Sequence, residues 1–405
     1  MDAAQATRIV EWVTGAGLAG MAETELMRGF CSRLVEAGLP VARANMGIDT
    51  LHPVLEGRIF RWVHDAEFEP ISEYGRLVEG TQAEERWRRS PYFHLYQEDQ
   101  EILRRRIGPD HPCDFAILDD LHREGQTDYV ALMQRFSAQG AIGEMDCIFS
   151  SWTTAVPQGF SDGEIETLRR LVPSLALAMK CSSLTRIAET LVETYLGRDA
   201  GRRVLNGRIA RGVTDRIQAV LWFSDLHGFT HIADTSAPDE IIPFLNDYSE
   251  AIISSIHEAG GDVLKLIGDG TLAIFKTKDQ SLACRQALAA EEAMRRRIKE
   301  LNRDRGARGL PTTEAYLGLH VGEVFYGNIG SRERLDFTVV GPAVNETSRI
   351  AALCHSVERS VLVSSAFQAA AQDEDRRAFV SVGRYALRGV KRPQELFTLE
   401  SALED

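Results

Sequence analysis

Two aspartates stand where the patterning of this chain would place metal and phosphate chemistry. Asp225 lies in Phe223-Ser-Asp-Leu-His-Gly-Phe-Thr230, just after Ala219–Phe223, which reads as a short buried strand. A carboxylate past a strand end, followed by glycine and a helix start, suits a hard cation beside a phosphate. The N–H groups of Gly228, Phe229 and Thr230 would then receive phosphate oxygens. Asp269 is the tip of a hairpin that pairs Val263–Ile267 with Thr271–Phe275, and its flanking glycines let a ligand approach the backbone. Taken alone, Asp225 also reads as a helix cap and Asp269 as a turn residue. Lys265 falls by strand alternation on the face of Val263 and Ile267, an odd place for an ammonium group unless it blunts an edge strand. Asn345 and Arg349 are four residues apart on a helix that Pro342 helps to start, so both point to one side.

These residues need a scaffold of alternating strands and helices. From Ala219 onward helices are expected at Asp239–Glu258, Ser281–Leu301 and Val344–Leu353. Strands are expected at Ala315–Val321, Phe337–Val340, Phe379–Val382 and Leu396–Leu399, which makes an α+β sandwich. Upstream, a helix over Glu23–Ala37 ends at Gly38 and Pro40, and strands follow at Val41–Ile48 and Val54–Val63. The polar stretch 67–128 carries no clear pattern. Asp146–Thr153 reads as a buried strand, and Ser161 with Glu164 forms a capping box. An apolar stripe then runs through Leu168, Leu171, Leu175, Met179, Leu184, Ile187, Leu191 and Tyr195. It fits either a parallel coiled coil between two protomers or a helix packed on its own core, with Pro173 expected to kink or interrupt it. Gly197, Gly201, Gly207 and Gly212 are expected to break that helix. The division that results is a first region at 1–180, a helical linker at 181–214 and a second region at 215–405.

Composition narrows the function classes. A net charge of −13 disfavours nonspecific binding to nucleic acid or anionic membranes, while leaving room for a local basic pocket. Six scattered cysteines without a CxxC pair read as reduced, mostly buried thiols. No stretch reaches the roughly 20 apolar residues of a membrane span, and no signal-peptide pattern is visible, so a soluble cytoplasmic protein is expected. Gly15-Ala-Gly-Leu-Ala-Gly20 matches GxGxxG, yet nothing around it supports a βαβ unit. The Trp, Tyr and Arg stretch Trp87–Tyr96 reads as packing, and the scattered histidines as surface residues.

Three motifs change the weight of the single residues. Phe223-Ser-Asp-Leu-His-Gly-Phe-Thr230, Lys265-Leu-Ile-Gly-Asp-Gly270 and Thr338-Val-Val-Gly-Pro-Ala-Val-Asn-Glu-Thr-Ser-Arg349 occur in register over roughly residues 203–400. Together they resemble the class III adenylate and guanylate cyclase catalytic domain, with its ferredoxin-like sandwich. The resemblance implies two Mg²⁺ or Mn²⁺ ions held by Asp225, Asp269 and the carbonyl of Leu226, supporting in-line attack of a ribose 3′-hydroxyl on the α-phosphate. It implies that Asn345 orients the ribose and that Arg349 stabilises charge on the α-phosphoryl group. Lys265 and Thr338 occupy the purine-reading positions. A lysine donor suits adenine N1, so ATP is the expected substrate, with GTP and a catalytically silent nucleotide-binding module as alternatives.

The family's triphosphate-binding lysine is replaced here by Arg388, with Lys391, Arg332 and Arg334 as other candidates. Metal and purine residues of such domains come from different protomers, which implies a head-to-tail homodimer. The first 180 residues resemble the small-molecule-sensing GAF family in layout. That resemblance implies a twisted antiparallel sheet and a regulatory ligand of unknown identity.

Overall fold

The computed structural model describes residues 1–66, 69–109, 111–136, 142–143, 145–388, 390 and 393–400. Two units emerge, Met1–Leu191 and Val192–Asp405. The first unit contains α1 (Ala3–Leu18), α2 (Glu23–Glu36), β1 (Arg43–Asp49), β2 (Leu55–Val63), β3 (Ile71–Gly75), α3 (Gln82–Arg88) and α4 (Pro91–Gln97). It continues with β4 (Ile102–Arg106), α5 (Ala116–Arg123), β5 (Asp128–Arg135), β6 (Cys147–Thr154) and α6 (Asp162–Leu196), whose last turn lies beyond the division.

Its strands form one antiparallel sheet in the order β3-β2-β1-β6-β5-β4, so the expected antiparallel sheet is present. Ala44, Met46 and Ile48 alternate inward along β1 and meet α1, α2 and α6 in one core. Leu95, Leu118, Leu121 and Phe149 build a second core beneath α4 and α5. There Trp87 meets Phe149 edge-on at 5.7 Å and Tyr92 stacks on it at 5.2 Å, which confirms the packing role expected for 87–96. The stretch without a clear pattern turns out to hold α3 and α4, short helices capped by the Thr81 and Ser90 hydroxyls.

The capping box is formed: Ser161 N–H donates to Glu164 Oε2 at 2.7 Å, and Glu164 N–H to Ser161 Oγ at 3.3 Å. Of the two outcomes expected at Pro173, a kink or an interruption, the second does not occur, because α6 continues through it. Pro173 lies on the exposed side of the helix. Leu168, Leu171, Leu175, Met179 and Ile187 are buried in the unit's own core, with Leu184 and Leu191 packed against it. The stripe is therefore an internal packing face up to Leu191. Buried Glu23 joins α2 to α6 through Arg186 Nη2 at 2.5 Å and the Ser183 hydroxyl at 3.4 Å. Gly15–Gly20 closes α1 and the turn after it, so it has no strand–turn–helix context.

The second unit opens with α7 (Arg198–Leu205), β7 (Thr214–Leu226), α8 (Phe229–Thr235), α9 (Pro238–Glu258), β8 (Asp262–Ile267), β9 (Gly270–Phe275), α10 (Gln280–Ala307) and β10 (Ala315–Gly330). Then come β11 (Leu335–Val340), α11 (Pro342–Val357), β12 (Val361–Ser364), α12 (Ser365–Ala370), α13 (Asp373–Arg376), β13 (Phe379–Tyr385) and β14 (Gln394–Leu399). The strands from β7 to β10 with their helices trace a β-α-β-β-α-β path, the ferredoxin-like pattern. The sheet runs β13-β14-β12-β10-β7-β9-β8, with β11 paired to β10. Val220 and Trp222 face α9 and α10, whereas Ala219 and Leu221 face the opposite core with Val339 and Ala343.

Three local expectations need correction. Strand β7 is thirteen residues long, because its first half, Thr214–Gln218, pairs with β10 although Ile217 is its one apolar residue. Asp225 consequently lies within the strand's last turn of residues and not beyond it. Gly197 and Gly207 adopt positive φ and break the helical run, but Gly201 sits inside α7.

Candidate active site

The chemistry-bearing residues gather at two places in the second unit. The first is the end of β7 beside the β8–β9 turn. Gly268 takes φ +67° there and turns the chain so that Asp269 faces β7. Leu226 N–H donates to Asp269 Oδ2 at 3.2 Å. Asp225 and Asp269 also interact directly: the Asp225 carboxyl is pushed up to about 6, first by desolvation, then by its hydrogen bond to and repulsion from Asp269. Two carboxylates this close hold a proton between them or a cation. Among the described residues no group of three or more His, Cys, Asp or Glu side chains forms a metal cluster. The two carboxylates and the Leu226 carbonyl are hard oxygen donors, and they fit Mg²⁺ or Mn²⁺ that completes its shell with water or phosphate oxygens.

Beyond this pair, Gly228 adopts φ +67° and starts the seven-residue helix α8, with Phe229 stacked on Phe244 at 6.1 Å. Gly228 and Thr230 are exposed, so their N–H groups are open to a ligand.

The second place joins β8, β11 and α11. Strand β8 is the sheet edge, and its register shifts between Val263 and Lys265. This bulge overturns the simple alternation: Leu264 turns inward, while Leu266 and Ile267 are exposed. Lys265 is half-buried and forms an ion pair with Asp336 on β11, a partner the sequence motifs did not point to. Thr338, two residues along β11, is buried and pairs with Gly327.

Helix α11 carries exposed Asn345 and half-buried Arg349. It lies unusually close to β10, because a Cβ at Gly318 would come within 2.7 Å of the Thr347 carbonyl and 2.6 Å of Ala351 N. Among the described residues Arg349 makes no ion pair, and neither Asn345 nor Arg349 bonds to Asp225 or Asp269. Arg388 is exposed in the loop after β13, which buried Leu387 anchors beside Ile350 of α11. Arg332 and Arg334 are exposed in the β10–β11 turn, and Lys391 lies outside the described residues.

One arrangement escaped sequence reasoning altogether. Thr313, before β10, is fixed by Tyr248 of α9 and Asn302 of α10, and its hydroxyl donates to the His227 carbonyl at 2.6 Å. These four residues are far apart in sequence and match no motif.

The second unit thus combines a ferredoxin-like sandwich with a close carboxylate pair at a strand end. Residues 214–401 match the family described as the adenylate and guanylate cyclase catalytic domain, and this part of the chain belongs to that family. The chain is similar to an adenylate cyclase of Anabaena cylindrica, 33% identical over 38% of this chain and 30% of that protein. It is also similar to adenylate cyclase 1 of Rhizobium meliloti, 31% identical over 39% of this chain and 24% of that one. The chain thus spans about a third or less of the length of these relatives. Among solved structures, the adenylyl cyclase CyaB of P. aeruginosa aligns with TM-score 0.42 and 24% identity, over 46% of this chain and 95% of that one. Among the described residues, no helix is long and apolar enough to cross a membrane.

Proposed function

We propose that the chain is an adenylate cyclase, converting ATP to 3′,5′-cyclic AMP and pyrophosphate. The observation that carries this reading is the Asp225–Asp269 pair, held by the Leu226 N–H, in a domain of the cyclase family. Asp225, Asp269 and the Leu226 carbonyl would hold two divalent ions, which supply a lowered pKa at the ribose 3′-hydroxyl and neutralise triphosphate charge. The 3′-oxygen forms a bond to the α-phosphorus while the bond to the bridging α,β-oxygen breaks, and the hydroxyl proton leaves to water.

Within this reading Asn345 orients the ribose, and Arg349 stabilises charge that grows on the α-phosphoryl oxygens. Gly228, Phe229, Thr230 and Arg388 bind phosphates. Lys265 donates to adenine N1, and Thr338 lines the same purine edge. Guanine presents an N–H at that position and would leave the lysine unpaired. The name adenylate cyclase borne by two relatives supports the same choice.

A head-to-tail homodimer completes the site. Its support is that, among the described residues, Asn345 and Arg349 make no bond to the aspartate pair, and that Leu266, Ile267, Phe325 and Val340 are exposed apolar residues on β8, β10 and β11. The first unit acts as a GAF-like sensor that regulates the second, in a cytoplasmic protein. Side-by-side turnover of ATP and GTP with Mn²⁺ tests the assignment: cyclic AMP from ATP supports it, cyclic GMP alone makes it a guanylate cyclase, and no product from either indicates a silent module.

A further inference from the structure

The backbone at the end of β7 is held from both sides, and the two sides meet at one peptide. Strand β7 lies between β9 and β10. Leu226 turns its N–H toward the β8–β9 turn, where Asp269 Oδ2 accepts it at 3.2 Å. His227 turns both of its polar backbone groups the other way. Its N–H donates to the Glu314 carbonyl at 2.8 Å, and its carbonyl accepts from Thr313 Oγ1 at 2.6 Å. A trans peptide points the carbonyl of one residue opposite the N–H of the next. Holding His227 N–H toward Glu314 therefore aims the Leu226 carbonyl at the Asp269 side, where the proposed metal ligands converge.

Thr313 itself has no freedom. It is buried, its N–H donates to the Tyr248 phenol oxygen at 3.1 Å, and its carbonyl accepts from Asn302 Nδ2 at 2.8 Å. Tyr248, fully buried, closes the ring by donating its own proton to Asn302 Oδ1. All three polar groups of Thr313 are thus engaged, two by helices of the scaffold and one by the metal loop. Arg305 of α10 braces the loop that carries Thr313, donating to the Pro311 carbonyl at 2.9 Å and pairing with Asp247 of α9 at 2.5 Å.

We propose that Thr313 is a positioning residue for divalent-metal binding, transmitting the rigidity of α9 and α10 through His227 to the Leu226 carbonyl. The proposal rests on the metal reading of Asp225 and Asp269. Partners that orient a metal's direct ligands typically contribute about 10–100-fold in affinity. Thr313→Val keeps the shape and removes the hydroxyl, and Thr313→Ser keeps the hydroxyl.

The test is a Mn²⁺ titration of the full chain with 3′-deoxy-ATP, which cannot cyclise, followed by thermal stabilisation. Thr313→Val should need about tenfold more Mn²⁺ for half-maximal stabilisation. Its metal-free melting temperature should stay near the wild type's, and Thr313→Ser should titrate like wild type. Should Thr313→Val fail to fold, Tyr248→Phe carries the test, with an expected shift of about threefold. Wild-type titration by either Val or, in its place, Phe overturns the proposal. So does a Thr313→Ser curve shifted as far as that of Thr313→Val. A wild type showing no Mn²⁺ response that Asp225→Asn removes would instead defeat the metal reading, and the proposal with it.

Discussion

Leu226 and Asp269 are joined by a 3.2 Å hydrogen bond from backbone to carboxylate, which ties the β8–β9 turn to the end of β7. The same bond brings the Asp269 charge against Asp225, and that closeness has a measurable consequence.

The Asp225 carboxyl, near 3.8 in an unstructured chain, is pushed up to about 6 in the fold. Its contribution to stability is therefore fully present below about pH 4 and is lost as pH rises through about 6. A divalent ion reverses this by binding the ionised pair. Mn²⁺ should raise the melting temperature little at about pH 5 and distinctly more at about pH 7.5. In Asp225→Asn the pH-dependent increment should vanish, while the metal-free protein should melt no lower than wild type at about pH 7.5.

Arg349 stands without an ion-pair partner among the described residues, on a helix brought close to the sheet by Gly318. Arg349→Ala should lower kcat by about 10²–10³-fold with a small change in KM, as for a donor that acts on transition-state charge. Mixed with Asp225→Ala, it should regain up to about a quarter of wild-type activity. Half of the randomly assorted dimers would then carry one intact site out of two. Steady-state kinetics before and after mixing measures both effects.

Lys265 is held by Asp336 across β8 and β11. Asp336→Asn should loosen the ammonium group and raise KM for ATP by about 3–10-fold. Replacing Lys265 by Glu together with Thr338 by Cys should abolish the preference for ATP over GTP. Paired kcat/KM values for the two nucleotides report the outcome.

Glu23 links α2 to α6 from a buried position. Glu23→Ala should destabilise the first unit by about 1–3 kcal/mol, read as a lower urea midpoint. Arg186 is partly exposed and becomes hydrated once unpaired, which keeps the loss below that of a fully buried charge.

How far the sequence spoke depended on how local each signal was. Asp269, Asn345 and Arg349 each sit on one turn or one helix face, so short motifs placed them on the correct elements, whereas Asp225, expected just past a strand, lies inside the end of β7. The first half of β7 was hidden because it carries a single apolar residue, Ile217, and its order comes from pairing with β10. Lys265 was assigned to the wrong face because a bulge leaves no trace in alternation. Helices α3 and α4 are too short to show a period, and only their caps betray them. Pro173 gave a break signal that burial of α6 on both sides of it overrode. The ring of Thr313, Tyr248 and Asn302 is purely tertiary and had no sequence signature.

The most direct test is nucleotide turnover by the full chain with Mn²⁺, measured for ATP and GTP in parallel and repeated with Asp225→Asn. The account predicts cyclic AMP and pyrophosphate in equal amounts from ATP, a lower kcat/KM for GTP, and activity reduced by about 10²-fold or more in the variant. Absence of cyclic AMP from wild type, or full activity in Asp225→Asn, would contradict it.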